Sequence, residues 1–561
     1  MDTLAPESIP KRYQARTADR AWVVVCVVIA LVVMTPILTI AVNLFTPPSE
    51  NWAHLVDTVL PDYVLNSVVL MIGVALCAGC MGVSTAWFVA MYEFPGKRYF
   101  SWALLLPLAM PAYIVAYTYT GMLDVSGPVQ EWIRLRLGLE YGEYWFPQIR
   151  SLGGAVAMLS LVLYPYVYLM SRAAFIEQSV CVLEASRTLG CSPWQSLSHV
   201  AIPLARPAIV AGLSLVMMET LADYGTVQYF GVSTFTTGIF RTWFGMGDPI
   251  SASQLSAILL LFVFVLIMAE RWSRHRARYH HTTNRYQVIE GKVLKGFWAW
   301  VGIGICLFPV LFGFVVPALQ LSIWALETYD TMVDQRFWIL VMHSFTLAAG
   351  AALIVLVPAV LLAYGVRDSG SKVVSIVTRI AAMGYAIPGT VIAVGVLIPF
   401  ASLDRFVNSW SKETFGTGTG LLFSGTVFIL LFAYTVRFLA VSLQAAESGL
   451  GRVRPSMDDA ARSLGYTRSG ILKNVHLPIM KGSMLTALVI VFVDVLKELP
   501  ATLVLRPFDY NTLAVRAYEL ASDERLADSS TAALAIVLVG IIPVIVLSRA
   551  IDRSRPGRKL P

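Results

Sequence analysis

Charge is what this sequence has least of. Of its 561 residues only 14% are Asp, Glu, Lys or Arg, against roughly 25% in an ordinary soluble domain. So little charge cannot coat a protein against water on every side, which excludes a plain soluble globule. Cysteine is scarce too. Cys26, Cys77, Cys80, Cys181, Cys191 and Cys306 give no disulfide framework, and most lie inside apolar runs. Cys77-Ala78-Gly79-Cys80 has the spacing of a metal site, but its small residues suit close packing of membrane helices better. The Gly-x4-Gly-Lys-Ser/Thr loop that cradles phosphates is missing: Gly96-Lys97 runs into Arg98, and Gly291-Lys292 into Val293. No Ser/His/Asp set or carboxylate pair is placed for hydrolysis, so no catalysis and no resident metal or cofactor is expected. The net charge is +7, yet the basic residues form short clusters between apolar runs, not the single patch that nucleic acid would need.

Apolar sequence is abundant. The chain is 57% hydrophobic, with a mean hydropathy of +0.69. A membrane helix needs about 20 mostly apolar residues. On that basis spans are expected near 21–45, 64–92, 99–122, 151–176, 206–224, 253–270, 297–324, 338–364, 373–400, 419–443, 481–505 and 531–549. The first exceeds a signal-peptide core of roughly 7–15 residues. It reads as an uncleaved span behind a basic leader of Lys11, Arg12, Arg16 and Arg20. Lys97/Arg98, the 271–295 segment, Arg367/Lys372/Arg379 and the tail from Arg549 to Lys559 share one side with that leader. Basic residues favour the cytoplasm, so both termini are expected there. The basic 271–295 segment, with His275, His280 and His281, reads as a solvated linker near anionic headgroups.

The chain repeats itself. A shift of 275 pairs Glu219 with Asp494, Asp223 with Glu498, Thr237 with Thr512 and Arg241 with Arg516. A shift of 277 pairs Ser67 with Ser344 and Pro111 with Pro388. The expected fold is therefore all-α and membrane-integral, with about twelve helices in two parallel six-helix repeats and the pathway between them. Residues 1–60 would hold the leader and first span, 61–270 the first repeated domain, 296–337 the seventh span and an outer loop, 338–549 the second domain, and 550–561 a basic tail.

Between the fourth and fifth spans of each half lies a polar island. The first reads Glu184-Ala185-Ser186-Arg187-Thr188-Leu189-Gly190, with Pro203 thirteen residues beyond the glycine. The second reads Asp459-Ala460-Ala461-Arg462-Ser463-Leu464-Gly465, with Pro478 at the same offset. Each suits a short helix stopped by a left-handed glycine, with Asp458 or Asp459 able to cap the second copy. These segments, 181–204 and 456–479, resemble the EAA loop of permease subunits in type I ABC importers, despite Ser186 and Asp459 departing from strict Glu-Ala-Ala. The resemblance implies that Glu184, Ala185, Gly190 and Pro203, with Asp459, Ala460, Gly465 and Pro478, form docking elements for two copies of an ABC ATPase. ATP and Mg2+ would sit on that partner, and a periplasmic binding protein would deliver substrate.

Glu219-Thr220-Leu221-Ala222-Asp223-Tyr224-Gly225 and Leu496-Lys497-Glu498-Leu499-Pro500 further resemble ferric-iron ABC permeases of the bacterial inner membrane. Fused permeases for thiamine and phosphonates are similar, and a twelve-span secondary transporter is a remoter alternative. Glu219 and Asp223 lie one helical turn apart, as do Asp494 and Glu498. Two readings stand for these four. They line a pathway, since intramembrane carboxylates are functional suspects, or they are helix ends and ion pairs with Arg241, Arg516 or Lys497. Tyr113 and Tyr117, with Tyr119, are candidates to line the same path or to pack.

Overall fold

A computed structural model describes residues 20–140, 142–177, 188, 190, 192–275 and 292–553. Eleven helices in it are long and apolar enough to cross a membrane, and a bent pair, counted as one span, brings the number to twelve. The first six are Arg20–Asn43, Leu60–Met91, the bent pair, Leu152–Glu177, Ile202–Ala222 and Pro249–His275. The second six are Phe297–Met332, Gln335–Ser369, Gly389–Phe415, Val427–Leu450, Leu477–Leu496 and Leu526–Arg553. Many of their apolar side chains face outward, Leu76 and Leu261 among them, as a lipid-facing surface requires.

Three expected spans change shape. The window 99–122 is two helical pieces, Lys97–Ala109 and Ala112–Leu137, meeting at 90°. Pro111 has no N–H to continue a helix and forces Met110 into an extended conformation (φ −106°, ψ 118°). Pro388 does the same to Ile387 (φ −89°, ψ 130°), so the window 373–400 divides into a short Lys372–Ala381 helix and a span beginning at Gly389. The window 481–505 ends as a span at Leu496, and a separate Pro500–Leu505 helix follows.

The pseudo-repeat is geometric as well as sequential. Pro111 and Pro388 each precede a helix, with nearly identical backbone angles. The Ser67 hydroxyl accepts from the Phe235 N–H at 3.3 Å, and the Ser344 hydroxyl from the Leu513 N–H at 2.8 Å. Those amides open two matching helices, Phe235–Phe240 and Leu513–Ser522, whose N-caps are Thr234 and Thr512. Thr512 therefore corresponds to Thr234, not Thr237. The loop before it is longer in the second half, so the 275 shift fails beyond Glu498 and the Arg241–Arg516 pairing fails with it.

The halves exchange their outer spans. One core joins the second to fifth spans to the seventh and twelfth. The other joins the eighth to eleventh spans to the first and sixth. Glycine allows the crossing: a Cβ on Gly395 of the ninth span would lie 2.5 Å from the Pro36 carbonyl of the first. Gly540 of the twelfth stands in the same relation to the Ala109 carbonyl. Within the first core, Gly82 and Gly212 both let their spans approach the fourth closely at Val167. Cys77 and Cys80 are free thiols that face outward, and the close approach belongs to Gly82. A two-residue parallel pairing, Tyr92–Glu93 with Lys292–Val293, joins the start of the second half to the end of the second span.

Candidate functional site

The fifth and eleventh spans both break at a carboxylate. The fifth ends at Ala222, where Asp223 turns extended (ψ 133°). Its carboxylate then swings onto the next short helix, Gly225–Tyr229, accepting from the Val227 N–H and the Thr226 hydroxyl, each at 3.1 Å. Glu498 does the same for Pro500–Leu505. It accepts from the Ala501 and Thr502 N–H groups at 3.0 Å and from the Thr502 hydroxyl at 2.7 Å. Gly225 is required where the halves meet, because a Cβ there would lie 2.7 Å from that of Tyr113 and 2.9 Å from the Leu499 side chain.

These breaks enclose a cavity of about 150 Å³, and Glu219, Asp223, Asp494 and Glu498 all line it. Arg437 and Lys497 line it as well, with Tyr113, Tyr166 and Tyr385. Lys497 pairs with Asp494 at 2.9 Å, and Arg437 stands 3.8 Å from Glu498. Glu219, from the first half, faces Tyr385, Arg437 and Lys497 of the second. The Tyr113 hydroxyl is buried without a hydrogen-bond partner. Four carboxylates against two cations leave two negative charges unbalanced when all are ionised. Among the described residues no three His, Cys, Asp or Glu groups cluster tightly enough to hold a metal ion.

The helix-end and ion-pair contacts are present for three of the four carboxylates, and all four lie on the cavity wall. Asp223 and Glu498 are helix caps and Asp494 is an ion-pair partner, yet all three face the cavity. Glu219 caps nothing. The expected partner Arg241 lies elsewhere, reaching the Ser233 hydroxyl at 3.4 Å, and Arg516 lines a different cavity. Tyr117 is placed off the lining. It is 1% exposed and packs edge-on to Tyr229. Tyr119 donates to the Phe312 carbonyl at 2.6 Å. Arg437 escaped the sequence reading although its signal was present: it is a lone arginine within an apolar span.

The described part of each polar island, from Ser192 in the first and over Pro455–Ser463 in the second, precedes the fifth or eleventh span at the end away from the cavity. Glu184 and Ala185 fall outside the described residues. Gly190 and Gly465 both take the left-handed conformation (φ +83° and +82°), as a helix stop requires. Pro203 and Pro478 sit in the first turns of the fifth and eleventh spans. The second island is a helix, Pro455–Ser463, with Arg454 as its N-cap. Neither Asp458 nor Asp459 caps it, because the helix starts a turn earlier at Pro455. Asp458 instead accepts from Arg367 at 2.9 Å and bonds His476 at 2.7 Å. Arg367 also donates to the Leu450 and Val453 carbonyls, at 2.7 and 2.9 Å. This network ties the island to the eighth, tenth and eleventh spans. Burial pushes the Asp458 carboxyl up, but the His476 hydrogen bond and then Arg367 outweigh it and hold it below the ordinary carboxylate value. Asp459 is exposed and pairs with Arg462 at 3.2 Å. Leu464, just before Gly465, is 78% exposed, an apolar side chain offered on a polar surface.

Both halves of the chain match known proteins in sequence. Residues 78–279 and 357–556 each match the model of the binding-protein-dependent transport system inner membrane component. The Fe(3+)-transport system permease protein FbpB 2 of Haemophilus influenzae is 25% identical, over 87% of this chain and 90% of its own length. The putative ferric transport system permease protein FbpB 1 of the same organism is 24% identical, over 84% of this chain and 75% of its own. The sulfate transport system permease protein CysT of Escherichia coli is 27% identical over 36% of this chain and 70% of its own. With both halves matched, the chain belongs to the family of binding-protein-dependent transport system inner membrane components.

Proposed function

We propose that this chain is the permease of an ABC importer whose cargo is ferric iron, and that the cavity between its halves is the translocation pathway. One observation carries the reading: carboxylates from both halves line a single cavity. Ferric iron is a hard cation that prefers oxygen ligands. Glu219, Asp223, Asp494, Glu498 and Tyr113 offer such oxygens, in a field of excess negative charge when the four carboxylates are ionised. Sulfate, the cargo in the name of a relative that matches about a third of this chain, would be repelled there. The names of the two long-matching relatives agree with iron.

The charge pattern supports a multi-pass protein of the bacterial inner membrane with both termini and both islands in the cytoplasm. A periplasmic binding protein then delivers cargo at the opposite face. Two ATPase subunits dock on the islands, one on Asp459, Ala460, Gly465 and the exposed Leu464, the other on Glu184, Ala185 and Gly190. They carry the ATP and Mg2+. Force applied to Pro455–Ser463 passes through Asp458 to Arg367 and His476, and so to the spans that frame the cavity.

The cargo is tested by uptake in cells that express the chain with its partner subunits and lack transporters of their own. Labelled ferric iron should accumulate, and excess sulfate, thiamine or phosphonate should not compete. Accumulation of thiamine or a phosphonate without iron would reject the assignment.

A further inference from the structure

One residue on the far side of the molecule from the islands holds a backbone conformation that its type disfavours. Glu524 has φ +62° and is the one non-glycine residue with positive φ among the described residues. It follows the Leu513–Ser522 helix in a Schellman turn. The Arg525 N–H bonds the Leu520 carbonyl at 2.8 Å, and the Glu524 N–H bonds the Ala521 carbonyl at 3.1 Å. Glycine is the usual occupant of that position, since a Cβ there is strained. The other half obeys the rule. Gly247 stands two residues before the sixth span, as Glu524 stands two before the twelfth, and has φ +63°.

The side chain gives the reason for the exception. The Glu524 carboxylate lies 2.9 Å from Arg150 of the first half. Arg150 also stands 3.5 Å from Asp124 and lies 5.3 Å over the Tyr229 ring. The three charged groups share a cleft of about 290 Å³ between the halves. Arg150 precedes the Leu152–Glu177 span, so the cleft is about 40 Å from the far end of that span at 1.5 Å per residue. Tyr229 ends the short helix whose opposite end is capped by Asp223 at the central cavity. The cleft and the cavity are thus joined by one five-residue helix.

We propose that Arg150 and Glu524 are positioning residues that latch the two halves together above the cavity, and that Glu524 retains a strained backbone so that its carboxylate reaches across. The proposal rests on reading the cavity as the pathway. It is a latch and not a staple, because both side chains are partly exposed, at 36% and 66%. Such a pair is weak and yields to salt.

The test uses the full chain in lipid nanodiscs, carrying Ala222→Cys on the cavity wall, with the unsubstituted chain as background. The readout is the rate at which a water-soluble maleimide labels that thiol. Glu524→Gln and Glu524→Gly should each raise the rate by about two- to fivefold, the loss of one partly exposed ion pair. The exchange Arg150→Glu with Glu524→Arg should return it to the native rate. Added salt should raise the native rate and leave the Glu524→Gln rate unchanged. Glu524→Gly should not lower the melting temperature, because it relieves the left-handed strain while removing the latch. Unchanged labelling in both Glu524 variants would overturn the proposal. So would faster labelling confined to variants whose melting temperature falls. Nanodiscs expose both faces and no cargo moves, so failure here is distinct from failure of the iron uptake assay.

Discussion

Glu219→Gln should lower iron uptake about ten- to a hundredfold while the purified chain keeps its melting temperature. The uptake loss is that of one charged oxygen ligand, roughly 1.5–3 kcal/mol for an interaction with a charged group. The unchanged stability follows from what Glu219 does not do. It caps no helix, and the nearby Lys497 and Arg437 are engaged by Asp494 and Glu498. Glu498→Gln should behave differently. That carboxylate holds two backbone N–H groups, the Thr502 hydroxyl and Arg437. Replacing it with an amide weakens the Pro500–Leu505 cap and leaves the Arg437 charge less compensated, so stability and uptake fall together. Initial uptake rates and melting curves on the two variants separate a ligand from a scaffold. Equal uptake by Glu219→Gln and the native chain would remove Glu219 from the pathway.

Gly82→Leu should abolish recovery of a folded, monodisperse protein. A Cβ at Gly82 would lie 2.6 Å from that of Val167, and 2.9 Å from both the Tyr164 carbonyl oxygen and the Tyr168 nitrogen. Two of these contacts are backbone, which cannot step aside by changing rotamer. Gly212 of the fifth span is as close to the same residue, with a Cβ there 2.9 Å from the Val167 Cα. Overpacking of a well-filled core costs about 1–3 kcal/mol and sometimes more, and here the contacts are with backbone atoms of the fourth span. Gly482→Leu is the matched control. A Cβ at Gly482 meets nothing within 4 Å, and leucine is the better helix former. Size-exclusion chromatography in detergent should give a symmetric peak for Gly482→Leu and aggregate for Gly82→Leu. A folded Gly82→Leu protein would show that the second and fourth spans are not in such close contact.

Much of this architecture was legible in the sequence because it rests on composition and local stereochemistry. Apolar length gave the spans. Pro111 with Pro388, and Ser67 with Ser344, marked the repeat because each fixes a backbone turn or accepts an N–H at one defined place. Gly190 and Gly465 take the left-handed conformation that glycine alone adopts freely, and Gly465 follows the Pro455–Ser463 helix. Other features depend on contacts distant in sequence. Hydropathy runs on through Met110, so the 90° bend was invisible to a window average. The exchange of the first span into the second core depends on Gly395 and Pro36, which lie hundreds of positions apart. The motif drew attention to Asp459, whereas Arg367 and His476 select Asp458. The carboxylates of the cavity were readable as four suspects, but neither Arg437 nor the capping by Asp223 and Glu498 could be assigned before the helices were placed.

The most direct measurement is accumulation of labelled ferric iron in sealed proteoliposomes containing the full chain, its ATPase subunits and the binding protein. Accumulation is expected only when ATP is supplied on the face that carries the Pro455–Ser463 helix and the binding protein is on the other. Iron accumulation driven by an ion gradient, with no ATPase present, would contradict it.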